Sequence, residues 1–253
     1  MKVSIITVSY NSAATIGQAM ASVLGQTYRD IDYWVIDGGS TDGTVEIIKE
    51  YEAKAVGRLH WISEQDHGLY DAMNKGISRC TGDIIGILNS DDFFTSDTVV
   101  ETIASSFTDD IDAIYGDVHF VRPADLTRCI RYYSGRIFRP SMVKFGFIPP
   151  HPSFYIRRSI FEQYGSYDPT YRISADFELI ARLCYKYRIR TRYLHLDVVT
   201  MRTGGASTRD FQARWVGTME DIRACKALGL RTNQMMIFCK YIIKIASAIF
   251  IRS

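Results

Sequence analysis

The run Asp83-Ile84-Ile85-Gly86-Ile87-Leu88-Asn89-Ser90-Asp91-Asp92 decides the fold. Its first half is short, apolar and β-branched, the composition of a strand buried on both faces. Four polar residues then follow without a break, two of them carboxylates. Desolvated carboxylates at the open end of a buried strand are costly without a cation. Hard oxygens in that place suit Mg²⁺ or Mn²⁺, which commonly bridge to substrate phosphates. The same residues also serve simple turn chemistry or the cap of a helix starting near Asp97.

The pattern recurs on either side. Val3 to Val8 is a β-branched run that leads into Ser9-Tyr10-Asn11, and Asp32 to Asp37 is a second, stopped by Gly38-Gly39. Leu59 to Ser63 leads into Glu64-Gln65-Asp66-His67-Gly68, and Ala113 to Val121 follows later. Helical spacing fills the intervals. Ser12 is placed to cap a helix through Ile16, Met20, Val23 and Leu24, and two more run through Asn74 to Arg79 and from Thr98 to Phe107. Strands alternating with helices on short loops predict a mostly parallel sheet covered on both faces. Ligands bind beyond the carboxyl ends of such strands, where Asn11, Asp37, Asp66 and Asp91 collect. Asp37 to Thr44 lacks both the GxGxxG spacing and the GK[ST] ending, so neither a dinucleotide fingerprint nor a P-loop is present.

With 253 residues the chain makes one or two domains, and 47% hydrophobic against 23% charged residues excludes disorder. Five cysteines without a CxxC pair argue against a zinc cluster and a secreted disulfide framework, and favour a reducing compartment. Lys2 precedes no convincing secretory h-region, because Thr7, Ser9, Tyr10 and Asn11 interrupt it. Charge is segregated. Residues 1–120 hold 7 basic and 19 acidic residues, net −12, and residues 121–253 hold 23 basic and 9 acidic, net +14. An acidic half suits a cation and a basic half suits an anionic ligand or membrane surface. Two solvated faces of opposite sign explain the same numbers. The basic residues follow no nucleic-acid recognition motif, so no nucleic-acid partner is expected.

After residue 121 the alternation fades. Residues 122–150 are irregular; helical patterns follow at Ser159 to Tyr164 and Ala175 to Tyr187, and Arg192 to Met201 alternates like a strand. Thr203-Gly204-Gly205-Ala206-Ser207 reads as a turn, Phe211, Trp215, Met219 and Ile222 as a helical stripe, and 234–251 as a last helix. His151 suits either a sugar contact or loop packing. His195 reads as structural, and Lys186, Arg188, Arg190 and Arg192 as a solvated helix end.

Thr7-Val8-Ser9-Tyr10-Asn11, Asp37 to Thr44, Gly68 with Asn74-Lys75-Gly76, Gly82-Asp83, and Leu88 to Asp92 occur in that order. In this spacing the chain resembles family 2 glycosyltransferases of the GT-A fold, especially bacterial enzymes of exopolysaccharide, colanic-acid or O-antigen (lipopolysaccharide) assembly. The resemblance implies a Rossmann-like α/β sheet with a nucleotide-sugar half (1–120), an acceptor half (121–207) and C-terminal helices (208–253). It implies that Asp37 contacts the nucleotide base, with Thr7, Tyr10 and Asn11 lining the same pocket. Asp66, Gly68, Asn74, Lys75 and Ser90 line the nucleotide and diphosphate, with Arg202 as a cation beside a closing loop at 203–207. Asp91, supported by Asp92, stands at the family's Asp-x-Asp metal position, although its first member here is Asn89. Asp176 stands at the catalytic base, although the usual preceding Glu is Ala175. The implied reaction is inverting transfer from a nucleotide-diphosphate sugar to a saccharide acceptor, with Mn²⁺ or Mg²⁺. The two departures keep open a catalytically silent scaffold of a polysaccharide assembly complex.

The last helix has Lys240, Lys244 and Ser247 on one face and Phe238, Ile242, Ile245 and Ile249 on the other. At the short limit for a span and broken by two lysines, 235–251 suits an interfacial helix. That places the protein in the cytoplasm, peripheral on the inner membrane face, with a lipid-linked acceptor. A helix packed on its own domain or on a homodimer partner is the alternative.

Overall fold

The structure is a computed structural model that describes residues 1–204 and 211–240. Residues 205–207 of the expected loop and residues 241–251 of the expected last helix lie outside the described residues. The first half follows the strand–helix alternation: β1 (Val3–Ser9), α1 (Ile16–Leu24), β2 (Ile31–Asp37), α2 (Thr44–Lys54), β3 (Leu59–Ser63), α3 (Leu69–Arg79) and β4 (Ile84–Ile87). Next come β5 (Phe93–Phe94), α4 (Val99–Ser106), β6 (Ala113–Val121), β7 (Arg131–Tyr133), β8 (Tyr155–Arg157), α5 (Arg158–Tyr164), α6 (Ala175–Ala181), β9 (Thr191–Arg202) and α7 (Phe211–Ala227). A π-turn, Arg182–Lys186, extends α6.

The described strands form one sheet in the order β3-β2-β1-β4-β8-β6-β9-β5, with β7 on β6. The β3-β2-β1-β4 portion is parallel, as is β6–β9; β8, β7 and β5 join antiparallel. The sequence missed β5, β7 and β8 because two or three residues carry no readable period.

Strand pleating sorts the core. Val3, Ile5, Tyr33, Val35, Ile84 and Leu88 face α1, α2 and α4, while Ile6, Val8, Ile36, Ile85 and Ile87 face α3, α5, α6 and α7. Gly86 is required by close approach: a Cβ there would stand 2.2 Å from the buried Tyr155 ring. Ser12 does not cap α1 with its side chain. Its Oγ lies 2.9 Å from Ser90 Oγ, and only its carbonyl accepts from Thr15 and Ile16. The expected stripe on α7 is split, since Ile222 is buried while Trp215 and Met219 are exposed.

Candidate active site

The loops after β1 and β2 are sewn together. Asn11 N–H donates to Ser40 Oγ (2.8 Å), and Asn11 Oδ1 accepts from Thr41 N–H (3.0 Å). Ser12 and Ala13 N–H groups donate to Thr44 Oγ1 and Asp42. At the end of β2 the Asp37 carboxylate accepts five hydrogen bonds, from the hydroxyls of Ser9, Ser40 and Ser63 and the amides of Gly39 and Ser40. A carboxylate has about four lone-pair directions, and Asp37 is fully buried. These bonds tie Asp37, the residue expected at the nucleotide base, to the loop after β2.

The carboxylate that reaches the pocket is Asp66. A Cβ on Gly38 would come within 2.6 Å of Asp66 Oδ2 and 3.4 Å of the Tyr10 ring. Glycine at 38 therefore makes room for an acid supplied by the loop after β3. Tyr10 is 67% exposed and forms the open side of the same corner. Burial pushes the Asp66 carboxyl up, and Lys75 at 3.1 Å pulls it back. Lys75 is also within 3.1 Å of Glu64 and 3.5 Å of Asp71, and it donates to the Gln65 carbonyl. These contacts tie Lys75 to this loop and to Asp66. Gly68 takes φ +119° to turn the same loop into α3.

Thr7 points into the core, fully buried, where it accepts from the Tyr33 hydroxyl (2.9 Å), because pleating turns it from the rim. Asn74 clamps the Tyr167 backbone through both amide atoms (2.8 and 3.0 Å).

Beyond β4 the carboxylates stand differently. Asp92 is 1% exposed, and its oxygens accept from Asn89 Nδ2 (3.2 Å) and Arg202 N–H (3.3 Å). Both bonds turn the Asp92 carboxylate toward Asn89 and the end of β9. The half-buried Asp91 side chain accepts no hydrogen bond from any other described residue, only from its own backbone N–H, and buried Asn89 Oδ1 lacks a partner among the described residues. Burial pushes both carboxyls up, Asp92 further because of the charge on Asp91, while Arg202 opposes both shifts. Arg202 folds over the pair, bonding the Asp91 carbonyl and Gln18. Ser90 is closed off by Ser12. No cluster of three or more His, Cys, Asp or Glu is formed among the described residues. A cation here would draw on Asp91 and on oxygens of a bound phosphate. One open carboxylate and a buried orphan amide oxygen beside it fit that demand for hard ligands.

Asp176 sits half-buried in the first turn of α6, its Oδ1 bonded to Phe177 N–H (2.8 Å) and 3.2 Å from the Tyr70 hydroxyl. Tyr70 also donates to the Ile173 carbonyl (2.5 Å) and stacks on Tyr167 at 5.6 Å. The Tyr167 hydroxyl meets His151 Nε2 at 2.6 Å. Burial pushes the His151 imidazole down, against Asp176, so at neutral pH the ring is uncharged. Glu220 of α7 accepts the N–H groups of Arg172, Ile173 and Ser174 (2.8, 2.9 and 2.9 Å), holding the segment that carries Asp176. Helix α3 couples the two ends of the site. Its 71/75 stripe holds Asp66, and its 70/74 stripe holds Asp176 and Tyr167, each pair one turn apart.

Sequence reasoning missed Tyr70, Tyr167 and Glu220. Only the position of Tyr70 next to the Gly68 motif offered a signal. His195 packs on Tyr193 at 4.8 Å, and Arg190 pairs with Asp112 at 2.7 Å, so neither joins the site.

The model of the glycosyl transferase family 2 matches residues 4–174. A PGL/p-HBAD biosynthesis glycosyltransferase of Mycobacterium bovis is 30% identical over 204 residues, 80% of this chain and 77% of its own. An uncharacterized glycosyltransferase of Mycobacterium tuberculosis is 33% identical over 215 residues, 82% of this chain and 78% of its own. Among solved structures, S. aureus TarS in complex with UDP-GlcNAc aligns with TM-score 0.64 at 13% identity, over 94% of this chain and 70% of its own. The Pyrobaculum calidifontis mannosyltransferase PcManGT, in complex with GDP-Man and Mn²⁺, aligns with TM-score 0.64 at 15% identity, over 94% and 69%.

Proposed function

The chain belongs to glycosyl transferase family 2 and has the GT-A fold, and on that premise we propose that it moves a sugar from a nucleotide-diphosphate sugar to a saccharide acceptor of a surface glycoconjugate. Residues 1–120 form the donor half and 121–207 the acceptor half, with inversion at the anomeric carbon. The observation that carries the reading is the contrast at the rim: Asp91 is half-buried and its carboxylate is bonded by no other described residue, while neighbouring Asp92 is bonded by Asn89 and Arg202.

Tyr10 and Asp66 bind the nucleotide base, the ring by stacking and the carboxylate by accepting a base N–H. Asp91 would hold Mn²⁺ or Mg²⁺, which when bound would offset charge on the departing diphosphate. Arg202 adds a cation on the same side. An acceptor hydroxyl oxygen attacks the anomeric carbon. The bond from that carbon to the diphosphate oxygen breaks, and its electron pair leaves with the nucleoside diphosphate. Asp176 takes the hydroxyl proton, a general-base contribution of about 10²–10⁴-fold. Tyr70 and neutral His151, through Tyr167, keep that carboxylate oriented. The acceptor is a lipid-linked saccharide presented at the inner face of the cytoplasmic membrane.

The test is a thermal-shift panel of UDP, GDP and CDP, with and without Mn²⁺, on the wild type and Asp91→Ala. A nucleotide at about 100 times its dissociation constant stabilises by about 2.7 kcal/mol. Stabilisation by one nucleotide that needs both Mn²⁺ and Asp91 is expected and names the donor class. Absence of any nucleotide effect overturns the donor site.

A further inference from the structure

The C-terminal helical segment is oriented opposite to the membrane arrangement that its amphipathic pattern predicts. The Lys240 ammonium is buried in an ion pair with Asp221, their side chains 14% and 3% exposed. Ile237 on the same side is fully buried, and both residues close on Gly146. The face carrying Lys240 is therefore the one that docks on the domain. Met235 (83% exposed) and Phe238 (61%) are left pointing outward.

This outward strip continues onto α7. Gln234 Nε2 contacts Met219 Sδ at 3.7 Å, setting the two helices side by side. On α7, Trp215, Met219, Arg223 and Lys226 repeat at helical intervals along one exposed stripe. Trp215 is 51% and Met219 41% exposed. The carboxylates of α7 within the described residues turn the other way, Glu220 to the α6 loop and Asp221 to Lys240. Among the described residues the exposed charges of this region, Arg214, Arg223, Lys226 and Arg231, are all positive. The sequence that follows, Tyr241 to Ser253, has no acidic residue and adds Lys244 and Arg252.

We infer that this face, Trp215, Met219, Met235 and Phe238 flanked by Arg223 and Lys226, is a docking surface for an anionic phospholipid bilayer. Exposed aromatic and methionine side chains bordered by cations are the composition of an interfacial contact. Negative headgroups meet the cations, and the apolar strip enters the headgroup–acyl boundary. A bilayer is favoured over a second copy because a self-complementary interface would set Arg223 and Lys226 near their symmetry mates with no outward carboxylate on α7 to answer them. Lys240 is the internal tie that fixes the helix to the domain, and not a headgroup contact. The inference deepens the lipid-linked acceptor reading, and its experiment is independent of the donor site.

The test uses the full chain with phosphatidylcholine vesicles, with and without phosphatidylglycerol, read by co-sedimentation and by quenching of Trp fluorescence with brominated lipid. Binding should require phosphatidylglycerol and weaken with salt, and the quenching should disappear in Trp215→Phe. Met219→Ser with Phe238→Ser should weaken binding about tenfold or more, and Arg223→Glu with Lys226→Glu should abolish the preference for phosphatidylglycerol. The thermal shift by nucleotide should be unchanged in both variants, which shows that they fold and separates this surface from the donor site. Equal binding by wild type and both variants overturns the inference. So does a concentration-dependent dimer, seen by light scattering, that is lost in Met219→Ser with Phe238→Ser while vesicles go unbound.

Discussion

β2 ends in Asp37 and the loop after β4 carries Asp91, and these two carboxylates stand in opposite surroundings. Asp37 is fully buried and accepts five hydrogen bonds from serine hydroxyls and loop amides. Asp91 is half-buried and accepts at its side chain none from any other described residue, only one from its own backbone N–H. The difference is supply. Gly39 and Ser40 wrap their amides around one acid, whereas Asn89 and Arg202 give theirs to Asp92 and leave its neighbour open. A satisfied buried acid stabilises a loop. An unsatisfied one stores an unpaid desolvation cost that a bound cation relieves.

The strongest way to break the contrast is on activity. Asp91→Ala should lower transfer by about 10³-fold or more, the several kcal/mol that charge stabilisation supplies, with the melting temperature of the ligand-free protein unchanged or raised. Asp176→Asn should lower kcat by about 10²–10⁴-fold yet keep the full nucleotide shift. Asp37→Ala should do the reverse of Asp91→Ala. It strands several donors at about 1–3 kcal/mol for each one left buried, so urea unfolding should show about 3 kcal/mol lost, and the remaining activity should fail by a raised KM for donor. A melting loss in Asp91→Ala equal to that of Asp37→Ala would erase the distinction.

A smaller effect is expected at Glu220. Glu220→Gln loses at least one of the three N–H contacts that hold Arg172 to Ser174. About 1–2 kcal/mol of stability should go, and kcat should drop about tenfold while KM for donor stays. A KM effect without a kcat effect would show that α7 does not position Asp176.

The parts of the site legible in the sequence are those written within one strand and its loop. Apolar β-branched runs announced β1 to β4, and the acids after them were placed at the rim by adjacency alone. Bonds between distant segments were not legible. Asn74 and Tyr167 are 93 residues apart, Ser12 and Ser90 are 78, and Glu220 reaches back 46 to 48. Ser12 read as a helix cap because its local sequence allows one, and Ser90 outcompetes the helix for its hydroxyl. The approach of Asp66 to Gly38 was not legible because nothing in Gly38-Gly39 tells that a neighbouring loop fills the space of the missing Cβ. Lys240 faced the wrong way for the same reason: helical periodicity separates two faces, and Asp221 on another helix decides which one is buried.

The sharpest form of the comparison is in pH. Asp92 has its carboxyl raised well above the ordinary range, first by burial and then by the charge on Asp91, against the opposing pull of Asn89 and Arg202. Between the unfolded value of about 3.9 and the raised folded value, the folded chain holds more of this proton than the unfolded chain. Stability then rises as pH falls through that window, by at most about 1.4 kcal/mol per pH unit for one group. Asp92→Asn has no such proton, and its amide oxygen can still accept from Arg202 N–H. Above the folded pKa the variant should therefore be more stable than the wild type in the absence of metal. The gap should narrow steadily on acidification and be smallest near pH 4. Saturating Mn²⁺ with nucleotide should close the gap from the other side, by stabilising the wild-type carboxylates in their charged form. A wild type that instead loses stability relative to Asp92→Asn as pH falls would mean that the hydrogen bonds to Asp92 outweigh its burial, and the two strand ends would no longer differ.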